Sequence, residues 1–452
     1  MLWCITQLAR LAVLIGAVSL GATTADAAGR PNILIITADN LGYGDLKCFD
    51  KQSPIKTPNL DHFVTQGARL TAFYTASPTC TVSRACLLTG RVAQRHGLLN
   101  QLPGIEGNYG TGLSPKEILI PQVLRAAGYA TGCFGKWNIG FAPGSRPTER
   151  GFDEFFGHAS GNIDYYTHVY NRKHDLYRGT TEAHCEGYST DLFADAAIEF
   201  ITGHKSHPWF VYLPFNAPHF PNKKNKPPGV PAVWQAPAKA FEAYGYDPNS
   251  TDVVEGYHAV VTALDQAIGR VLNALDILKL AENTFVLFYS DNGAFMLKGR
   301  GLECSSNAPL RGGGVTCWEG GLRVAALARW PNHIEAGSII DEALWSPDLM
   351  IGCAQLANAN LSRHVRWDGR NPLLVLTEGA STPHRSMYFA FRKHAALRMG
   401  NWKIVRTRPD QDWMLFDLSN DVSEQTDLAA KRSKKLSELV NEFDRWEHGF
   451  GG

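Results

Sequence analysis

The sequence predicts an α/β fold with a large, mixed but mostly parallel sheet that is flanked by helices. Four short apolar segments, which begin at Ile33, Tyr129, Phe210 and Thr284, each end at polar residues. Buried strands of a parallel sheet have this form when their carboxyl ends line a site. Helical periodicity lies between the segments, for example over 257–275, where apolar side chains recur every three or four residues. Strands that alternate with such helices indicate an α/β core.

The first 28 residues have the pattern of a secretory signal. Arg10 closes a weakly charged start, residues 11–20 form an apolar core, and Ala25 and Ala27 mark a small-residue cleavage site. The apolar core is too short to span a bilayer, which takes about 20 residues. We therefore expect an exported mature protein, secreted or periplasmic, without stable membrane insertion. A retained N-terminal anchor is the alternative.

The mature chain is expected to have two parts, over residues 29–370 and 371–452. The segments 387–397, 402–405 and 413–418 look like strands of a small antiparallel sheet. Apolar residues spaced for one helical face then mark a closing amphipathic helix over 436–446. A smaller C-terminal subdomain should therefore follow the large one.

Composition and charge exclude some classes of function. The chain has 452 residues, a formal net charge of +1 and a pI of about 7.6, so it has no basic field for nucleic acid or an anionic membrane. Nine cysteines are present, and they are scattered without the close pairs of a structural zinc site. Any anion that the protein binds must therefore be held by local side chains.

Residues 80–84, Cys-Thr-Val-Ser-Arg, followed by Leu-Thr-Gly-Arg at 88–91, resemble the activation motif of the type I sulfatases. The usual pattern is Cys-x-Pro-x-Arg, and Val82 stands at the proline position. On its own, the segment could equally hold a buried thiol at the start of a helix. Further matches in the family's order run from 31 to 446. The chain is therefore identified as a member of the sulfatase family, in the alkaline phosphatase superfamily, and is similar to arylsulfatases and N-acetylgalactosamine-6-sulfatases. The resemblance implies a catalytic domain over 29–370.

The resemblance also implies a role for four side chains. In this family the cysteine of the motif is oxidised to formylglycine, whose hydrated aldehyde attacks the sulfur of a sulfate ester. Cys80 is the implied precursor, with a formylglycine-generating enzyme as partner during maturation. Arg84 matches the arginine that holds the formylglycine, and Lys136 matches a lysine that neutralises the sulfate and the leaving group. His219 matches a histidine that can protonate the departing alcohol, for which a pKa near neutrality is suited.

Two pairs of residues match the family's calcium ligands: Asp39 with Asn40, and Asp291 with Asn292. Hard oxygen ligands of this kind suit a hard cation. The family has two aspartates at the first pair, so Asn40 removes one negative charge and should lower the affinity. In isolation, Asp39 could instead cap a helix and residues 291–293 could form a turn.

Asn138 stands where the family has a histidine. An amide can donate a hydrogen bond to a sulfate oxygen, yet it cannot carry a proton. We expect Asn138 to bind substrate together with Lys136, His219 and Arg311.

Gly314 occupies the position of a second sulfate-binding lysine of the family. One cation is therefore missing from the expected pocket. Arg311, Lys298 or Arg300 could replace it. The natural substrate should be contacted by loops, such as 162–188 and 222–248.

The first functional hypothesis is a sulfuric ester hydrolase that cleaves a sulfate ester, expected on a carbohydrate, with formylglycine and a bound calcium ion. The alternative is a catalytically inactive sulfatase-like protein that binds sulfated glycans. Both remain open because the four departures, at positions 40, 82, 138 and 314, fit either a site rebuilt for another substrate or a site that has lost catalysis. A third hypothesis, a two-zinc phosphatase or phosphodiesterase, needs more aspartate and histidine ligands than the strand ends supply.

Overall fold

The computed structural model describes residues 29–102, 112–296 and 298–450. The predicted signal, residues 1–28, lies outside the described residues and stays a prediction. Among the described helices, none combines the length and the apolar character needed to cross a membrane.

The elements alternate between strands and helices over most of the chain. The strands are β1 (Asn32–Ala38), β2 (Ala68–Tyr74), β3 (Ala130–Lys136), β4 (Glu154–His158), β5 (Val169–Tyr170), β6 (Lys173–His174), β7 (Tyr177–Arg178), β8 (Thr181–Glu182), β9 (Trp209–Pro214), β10 (Thr284–Ser290), β11 (Arg323–Arg329), β12 (Ser338–Ile340), β13 (Leu344–Trp345), β14 (Met387–Phe391), β15 (His394–Met399), β16 (Trp402–Arg406) and β17 (Met414–Asp417). The helices are α1 (Pro58–Thr65), α2 (Cys80–Thr89), α3 (Ala93–His96), α4 (Ile120–Ala126), α5 (Ser189–Gly203), α6 (Ala238–Glu242), α7 (Val253–Ile277), α8 (Glu319–Leu322), α9 (Asp348–Leu356), α10 (Leu373–Glu378) and α11 (Ser433–His448).

Eleven strands of the described chain form one large mixed sheet. Its order is β12-β2-β11-β10-β1-β9-β3-β4-β7-β8, with β13 also paired to β2. The central run from β10 to β4 is parallel throughout. Strands β11 and β7, on either side of this run, pair antiparallel. This confirms the predicted fold class, and it places the carboxyl ends of β1, β3, β9 and β10 at the same edge of the sheet.

The sheet is buried on both faces, and its central strands are mainly apolar: every residue of β1, β9 and β10 is buried. In β1, Leu34 and Ile36 pack into the cluster on one face, whereas Ile33 and Ile35 pack into the cluster on the other. Side chains alternate between the faces of a strand, so a continuous apolar run is the pattern of a strand covered on both sides. Each fully buried side chain of this size contributes ~1.5–3 kcal/mol.

Helices cover the two faces. Helix α7, with α1 and α5, supplies one cluster, and α2, α4, α9 and α10 contribute to the other. The Asp252 side chain caps α7 by accepting hydrogen bonds from the backbone N–H groups of Val254 and Glu255, at 2.8 and 3.0 Å. Such a cap stabilises a helix by ~1 kcal/mol. The helical periodicity over 257–275 thus lies inside α7, as predicted.

A four-stranded antiparallel sheet of β14 to β17 follows near the C-terminus. Helix α11 packs on it through Leu439 and Phe443, which are fully buried. The segment 387–397 contains two strands rather than one, because the chain turns at Arg392, which adopts a left-handed φ of 54°. The small C-terminal sheet and closing helix were predicted; the boundary at residue 370 stays a prediction.

Candidate active site

The site lies at the edge of the large sheet where β1 and β10 end. Ala38 and Ser290 are register partners, so the residues that follow them lie side by side. The Asn40 backbone N–H donates to Asp291 Oδ1 at 3.2 Å, and Asn292 Nδ2 donates to Asn40 Oδ1 at 2.7 Å. The structure thus brings the two predicted pairs together, as expected for adjacent parallel strands.

Cys80 is the first residue of α2 and is almost fully buried. The free N–H groups and the dipole of a helix N-terminus favour negative charge there. Val82, in the same turn, is fully buried in an apolar cluster with Cys86 and Val92. An apolar side chain therefore fits position 82 of this fold.

Arg84 links α2 to the ends of β10 and β3. Its Nε donates to Asp291 Oδ2 at 2.9 Å, and its Nη1 donates to the Lys136 carbonyl at 3.1 Å and approaches the Tyr212 hydroxyl at 3.3 Å. Burial by itself lowers the pKa of the guanidinium, but Tyr212 and Asp291 outweigh it and raise the pKa above its ordinary value. Arg84 is therefore a fixed cation next to Cys80.

Lys136, the last residue of β3, supplies a second buried cation. Its Nζ donates to Asp39 Oδ2 at 2.6 Å, and both side chains are inaccessible to solvent. Burial has the largest single effect and lowers the pKa of Lys136, but the Asp39 carboxylate together with Cys80 and Asp291 outweighs it, so the pKa is raised above its ordinary value. The ammonium group therefore stays charged inside the protein.

Several ligand-type atoms of the site lack a protein partner. Asp39 Oδ1 and Asn292 Oδ1 are buried and have no hydrogen-bond partner among the described residues. Ligand atoms of Asp39, Cys80 and Asp291 lie within 4.8 Å of one another. A buried oxygen without a partner costs ~1–3 kcal/mol, and more when charged. These residues fit a hard divalent cation such as Ca²⁺, which oxygen ligands would hold.

The burial of Asp291 also fits a bound cation. Burial first, and then the neighbouring Asp39 carboxylate, raise the pKa of Asp291 above its ordinary value. Two carboxylates at close range stay ionised together only when positive charge compensates them. Asn40 adopts a φ of 65° beside them, in the left-handed region that asparagine tolerates.

Asn138, just after β3, has its carbonyl oxygen committed to neighbours. Its Oδ1 accepts from Thr81 Oγ1 at 2.7 Å and from Gln101 Nε2 at 3.3 Å. No described residue accepts a hydrogen bond from its Nδ2, which is thus available as a donor. This geometry agrees with the predicted donation to a sulfate oxygen.

Gln101 contacts Cys80 and was not predicted. Its Nε2 lies 3.2 Å from Cys80 Sγ, and its Oε1 accepts from Thr79 Oγ1 at 2.9 Å. Gln101 also accepts from the backbone N–H of Thr81 at 3.3 Å. It therefore fixes the Cys80 side chain relative to Asn138. The residue lies in irregular chain between α3 and α4, where no spacing or motif marks it.

His219 lies beyond the end of β9 and is nearly buried. Its Nδ1 contacts the Phe220 carbonyl at 2.9 Å, so this nitrogen carries the proton and Nε2 is free. Burial, followed by the Lys136 charge, lowers the pKa of His219 to about 3. The pKa of His219 in the free protein therefore lies below the range that suits proton transfer near neutrality, because the imidazole is buried beside a cation.

Arg311 is engaged by other residues, and position 314 is closely packed. The Arg311 guanidinium donates to the Glu424 carbonyl at 2.7 Å and lies 3.8 Å from the ring centre of Trp318. A Cβ atom at Gly314 would come within 2.8 Å of the Phe295 ring and 2.9 Å of the Gly293 carbonyl. Position 314 therefore has no room for a lysine. Its predicted substitute Arg311 is held by the C-terminal part of the chain.

Arg300 is the predicted substitute that lies beside the site. Its guanidinium is 5.3 Å from the ring centre of Phe220, the residue after His219. The side chain of Lys298, the third residue considered, is outside the described part of the structure.

Comparisons with known proteins identify the family of the chain. The sulfatase family model matches residues 31–359. N-acetylgalactosamine-6-sulfatase of Sus scrofa is 31% identical over 416 residues, which cover 87% of this chain and 74% of that protein. Human arylsulfatase A is 33% identical over 413 residues, which cover 82% and 74%. The crystal structure of Ps i-CgsB in complex with k-i-k-neocarrahexaose superposes with a TM-score of 0.82 and 31% identity over 92% of both chains. The chain belongs to the sulfatase family.

Proposed function

We propose that this protein is a sulfuric ester hydrolase that cleaves a sulfate ester on a carbohydrate by means of formylglycine made from Cys80. The observation that carries the proposal is the position of Cys80. It lies at a helix N-terminus, and its ligand atom is within 4.8 Å of those of Asp39 and Asp291. The cations Lys136 and Arg84 are paired to these two carboxylates. A sulfated carbohydrate would bring the negative charge that this arrangement accommodates.

The unmodified thiol is poorly suited to the reaction. Burial raises the pKa of the Cys80 thiol above its ordinary value, although the Lys136 charge opposes this effect. The thiolate, not the thiol, is the nucleophile, so a buried cysteine of raised pKa is inert. Formylglycine at this position would supply a hydrated aldehyde as nucleophile. A Ca²⁺ ion on Asp39, Asn40, Asp291 and Asn292 would supply positive charge for the sulfate oxygens.

The chain's own residues then orient the substrate and stabilise charge. Lys136 holds its ammonium group against Asp39 and faces the negative charge that develops on the oxygens. Asn138 offers its Nδ2 as a hydrogen-bond donor to a sulfate oxygen. Gln101 keeps residue 80 in place through its contact at 3.2 Å.

His219 acts on the leaving alcohol. In the free protein its Nε2 is unprotonated, since the pKa is about 3. A bound sulfate ester is an anion, and its charge raises the pKa of a neighbouring imidazole. A proton held at Nε2 in the complex can then pass to the departing oxygen, which is general acid catalysis.

The proposal also includes the maturation, the localisation and the domain boundaries of the protein. A formylglycine-generating enzyme modifies Cys80, with Val82 in its motif. The signal over residues 1–28 directs export, so the mature protein is secreted or periplasmic. The catalytic domain extends over 29–370 and the C-terminal subdomain over 371–452.

A sulfatase-like protein that binds sulfated glycans without turnover is the second candidate. The absence of room for a lysine at Gly314 favours it, because the pocket then has one cation fewer. In this case the glycan would bind to unmodified Cys80 protein and would be released unchanged.

The test is turnover of sulfated oligosaccharides and of an aryl sulfate by the parent protein and by Cys80→Ala. The hydrolase proposal predicts sulfate release by the parent and none above background by Cys80→Ala. Cys353→Ala is the matched control, because Cys353 is a buried free cysteine in α9. Cys80→Ala turnover equal to the parent rate would contradict the proposal. Binding without release by the parent would establish the second candidate.

A further inference from the structure

We propose that a cationic cavity beside His219 is a subsite for a second anionic group of the substrate, so that the protein acts on glycans with at least two sulfate or carboxylate groups. This inference rests on the proposed sulfatase function and specifies its substrate class.

The cavity lies between three loop segments. Its volume is about 740 Å³, and its lining includes Tyr170, Phe220, Lys223, Lys224 and Arg300. Ligand pockets in proteins have volumes of roughly 300–1,000 Å³. The cavity is therefore large enough for part of an oligosaccharide.

One wall joins the cavity to the reaction site. Phe220 lines the cavity, and its ring centre is 4.2 Å from that of His219. On its other side Phe220 packs edge-on against Phe295, at 5.8 Å. Phe295 fills the space that a side chain at Gly314 would need. The cavity thus lies next to His219 across the Phe220 ring, so the rest of a substrate whose sulfate ester reaches His219 would lie near the cavity.

The charge of the cavity is positive and unbalanced. Lys223, Lys224 and Arg300 line it, and no described lining residue is acidic. Within the described chain, no carboxylate forms an ion pair with any of the three. By contrast, the nearby Lys226 is paired with Asp164. Cations that gather in a concave surface without counter-charge attract and bind anions.

Arg300 is positioned for such a ligand. Its guanidinium carbon lies over the Phe220 ring, 5.3 Å from the ring centre, which is within the distance of a cation–π contact. A guanidinium binds sulfate or carboxylate through two parallel hydrogen bonds. The chain has no cation at position 314, but Arg300 supplies one farther from the reacting sulfate. There the guanidinium would bind a second anionic group of the substrate.

The aromatic rings support a carbohydrate ligand. Tyr170 and Phe220 line the same cavity as the three cations. Aromatic side chains supply large apolar contact area with a defined orientation. An inorganic anion needs only the cations, whereas the apolar faces of a sugar ring fit the aromatic surface between them.

The experiment compares a disulfated disaccharide with its monosulfated counterpart, each carrying the same scissile sulfate. Kd is measured for both ligands on Cys80→Ala protein, and kcat/KM on the parent background. The variants are Lys223→Met/Lys224→Met and Arg300→Met. The matched control is Lys431→Met/Lys434→Met, which removes two exposed lysines in the C-terminal part of the chain.

We expect the preference for the disulfated ligand to fall about tenfold or more in the cavity variants, because each removes charge-assisted hydrogen bonds. The control variant should keep the parent preference. Equal losses for both ligands, or no loss for either, would overturn the subsite. If the parent hydrolyses no sulfate ester but still prefers the disulfated ligand in a lysine-dependent way, the subsite stands and the hydrolase proposal fails. If the parent hydrolyses the sulfate ester but the cavity variants keep its preference for the disulfated ligand, the hydrolase proposal stands and the subsite fails.

Discussion

Two clusters of buried charged residues in this molecule contain the same types of residue but differ in how completely their oxygen atoms are paired with protein donors. The site cluster consists of Asp39, Asp291, Lys136 and Arg84 at the end of β1 and β10. The junction cluster joins the large sheet to the C-terminal sheet, and consists of Glu319, Glu424 and Lys403.

Three of the four carboxylate oxygens of the junction cluster accept hydrogen bonds, and the fourth, Glu424 Oε1, forms only an ion pair with Lys403. Lys403 Nζ lies 2.8 Å from Glu319 Oε1 and 2.9 Å from Glu424 Oε1. Glu319 Oε2 accepts from the Tyr74 hydroxyl at 2.5 Å, and Glu424 Oε2 accepts from the Glu319 backbone N–H at 2.7 Å. Each carboxylate oxygen of this cluster thus has a protein group of opposite charge or a hydrogen-bond donor beside it.

The site cluster keeps unused oxygens. Asp39 Oδ1 and Asn292 Oδ1 have no partner in the described part of the chain, although both are buried. Burial without a partner is costly, so it persists where a ligand completes the set. The difference supports the proposal that the site charges bind a ligand, whereas the junction charges contribute to stability.

The largest expected effect comes from Lys136→Met. It removes a cation that faces the developing negative charge while keeping much of the side-chain volume. We predict a decrease in kcat/KM of about 100- to 1,000-fold, the range seen when one electrostatic group is lost. The measurement is steady-state hydrolysis of a sulfated oligosaccharide. A variant with parent activity would show that this pair, like the junction, is structural.

Lys403→Met is the counterpart in the junction. It leaves two buried carboxylates without their shared cation, so we predict a loss of ~3–5 kcal/mol in the free energy of unfolding. Denaturant unfolding measures this loss, and activity per folded molecule should stay near the parent value.

Lys431→Met controls for removal of a lysine, since its side chain is exposed and should change stability by less than ~0.5 kcal/mol. If Lys403→Met leaves the free energy of unfolding unaltered, the junction cluster does not contribute to stability and the proposed difference between the two clusters is wrong.

The smallest effect concerns the metal. Added Ca²⁺ should raise the Tm, because an ion that binds only the folded protein stabilises it by about 2.7 kcal/mol at 100 times its Kd. Asn40→Asp restores a carboxylate at a backbone φ of 65° that aspartate tolerates. We predict about tenfold tighter Ca²⁺ binding, measured by calorimetry.

Asn332→Asp is the matched control for this charge change. Asn332 has a φ of 67° and is exposed. It should leave the Ca²⁺ affinity at the parent value. A Tm that does not respond to Ca²⁺ would mean that the unpartnered oxygens serve another ligand.

The sequence predicted the core of the fold and the centre of the site for a common reason. Apolar runs that end at polar residues identify both the strands and the edge to which their ends contribute, so Asp39, Lys136, His219 and Asp291 could be located together. Long helical periodicity likewise identified α7.

The remaining features depend on contacts through space. Gln101 lies on irregular chain, where no period applies, and only the folded structure brings it to Cys80. Arg300 was one of three residues considered from the sequence, and only the folded structure places it at Phe220. The lowered pKa of His219 results from burial beside Lys136. The contacts of Arg311 with Trp318 and Glu424 depend on the packing of the C-terminal part of the chain. No local sequence pattern predicts this packing.

Mass spectrometry of the peptide that contains residues 80–84 tests the central claim most directly. The protein would be purified from cells that contain a formylglycine-generating enzyme. The account predicts formylglycine at position 80, with Val82 accepted in the motif. Unmodified cysteine at position 80 in all of the protein would contradict the account and favour a protein that binds sulfated glycans without hydrolysing them.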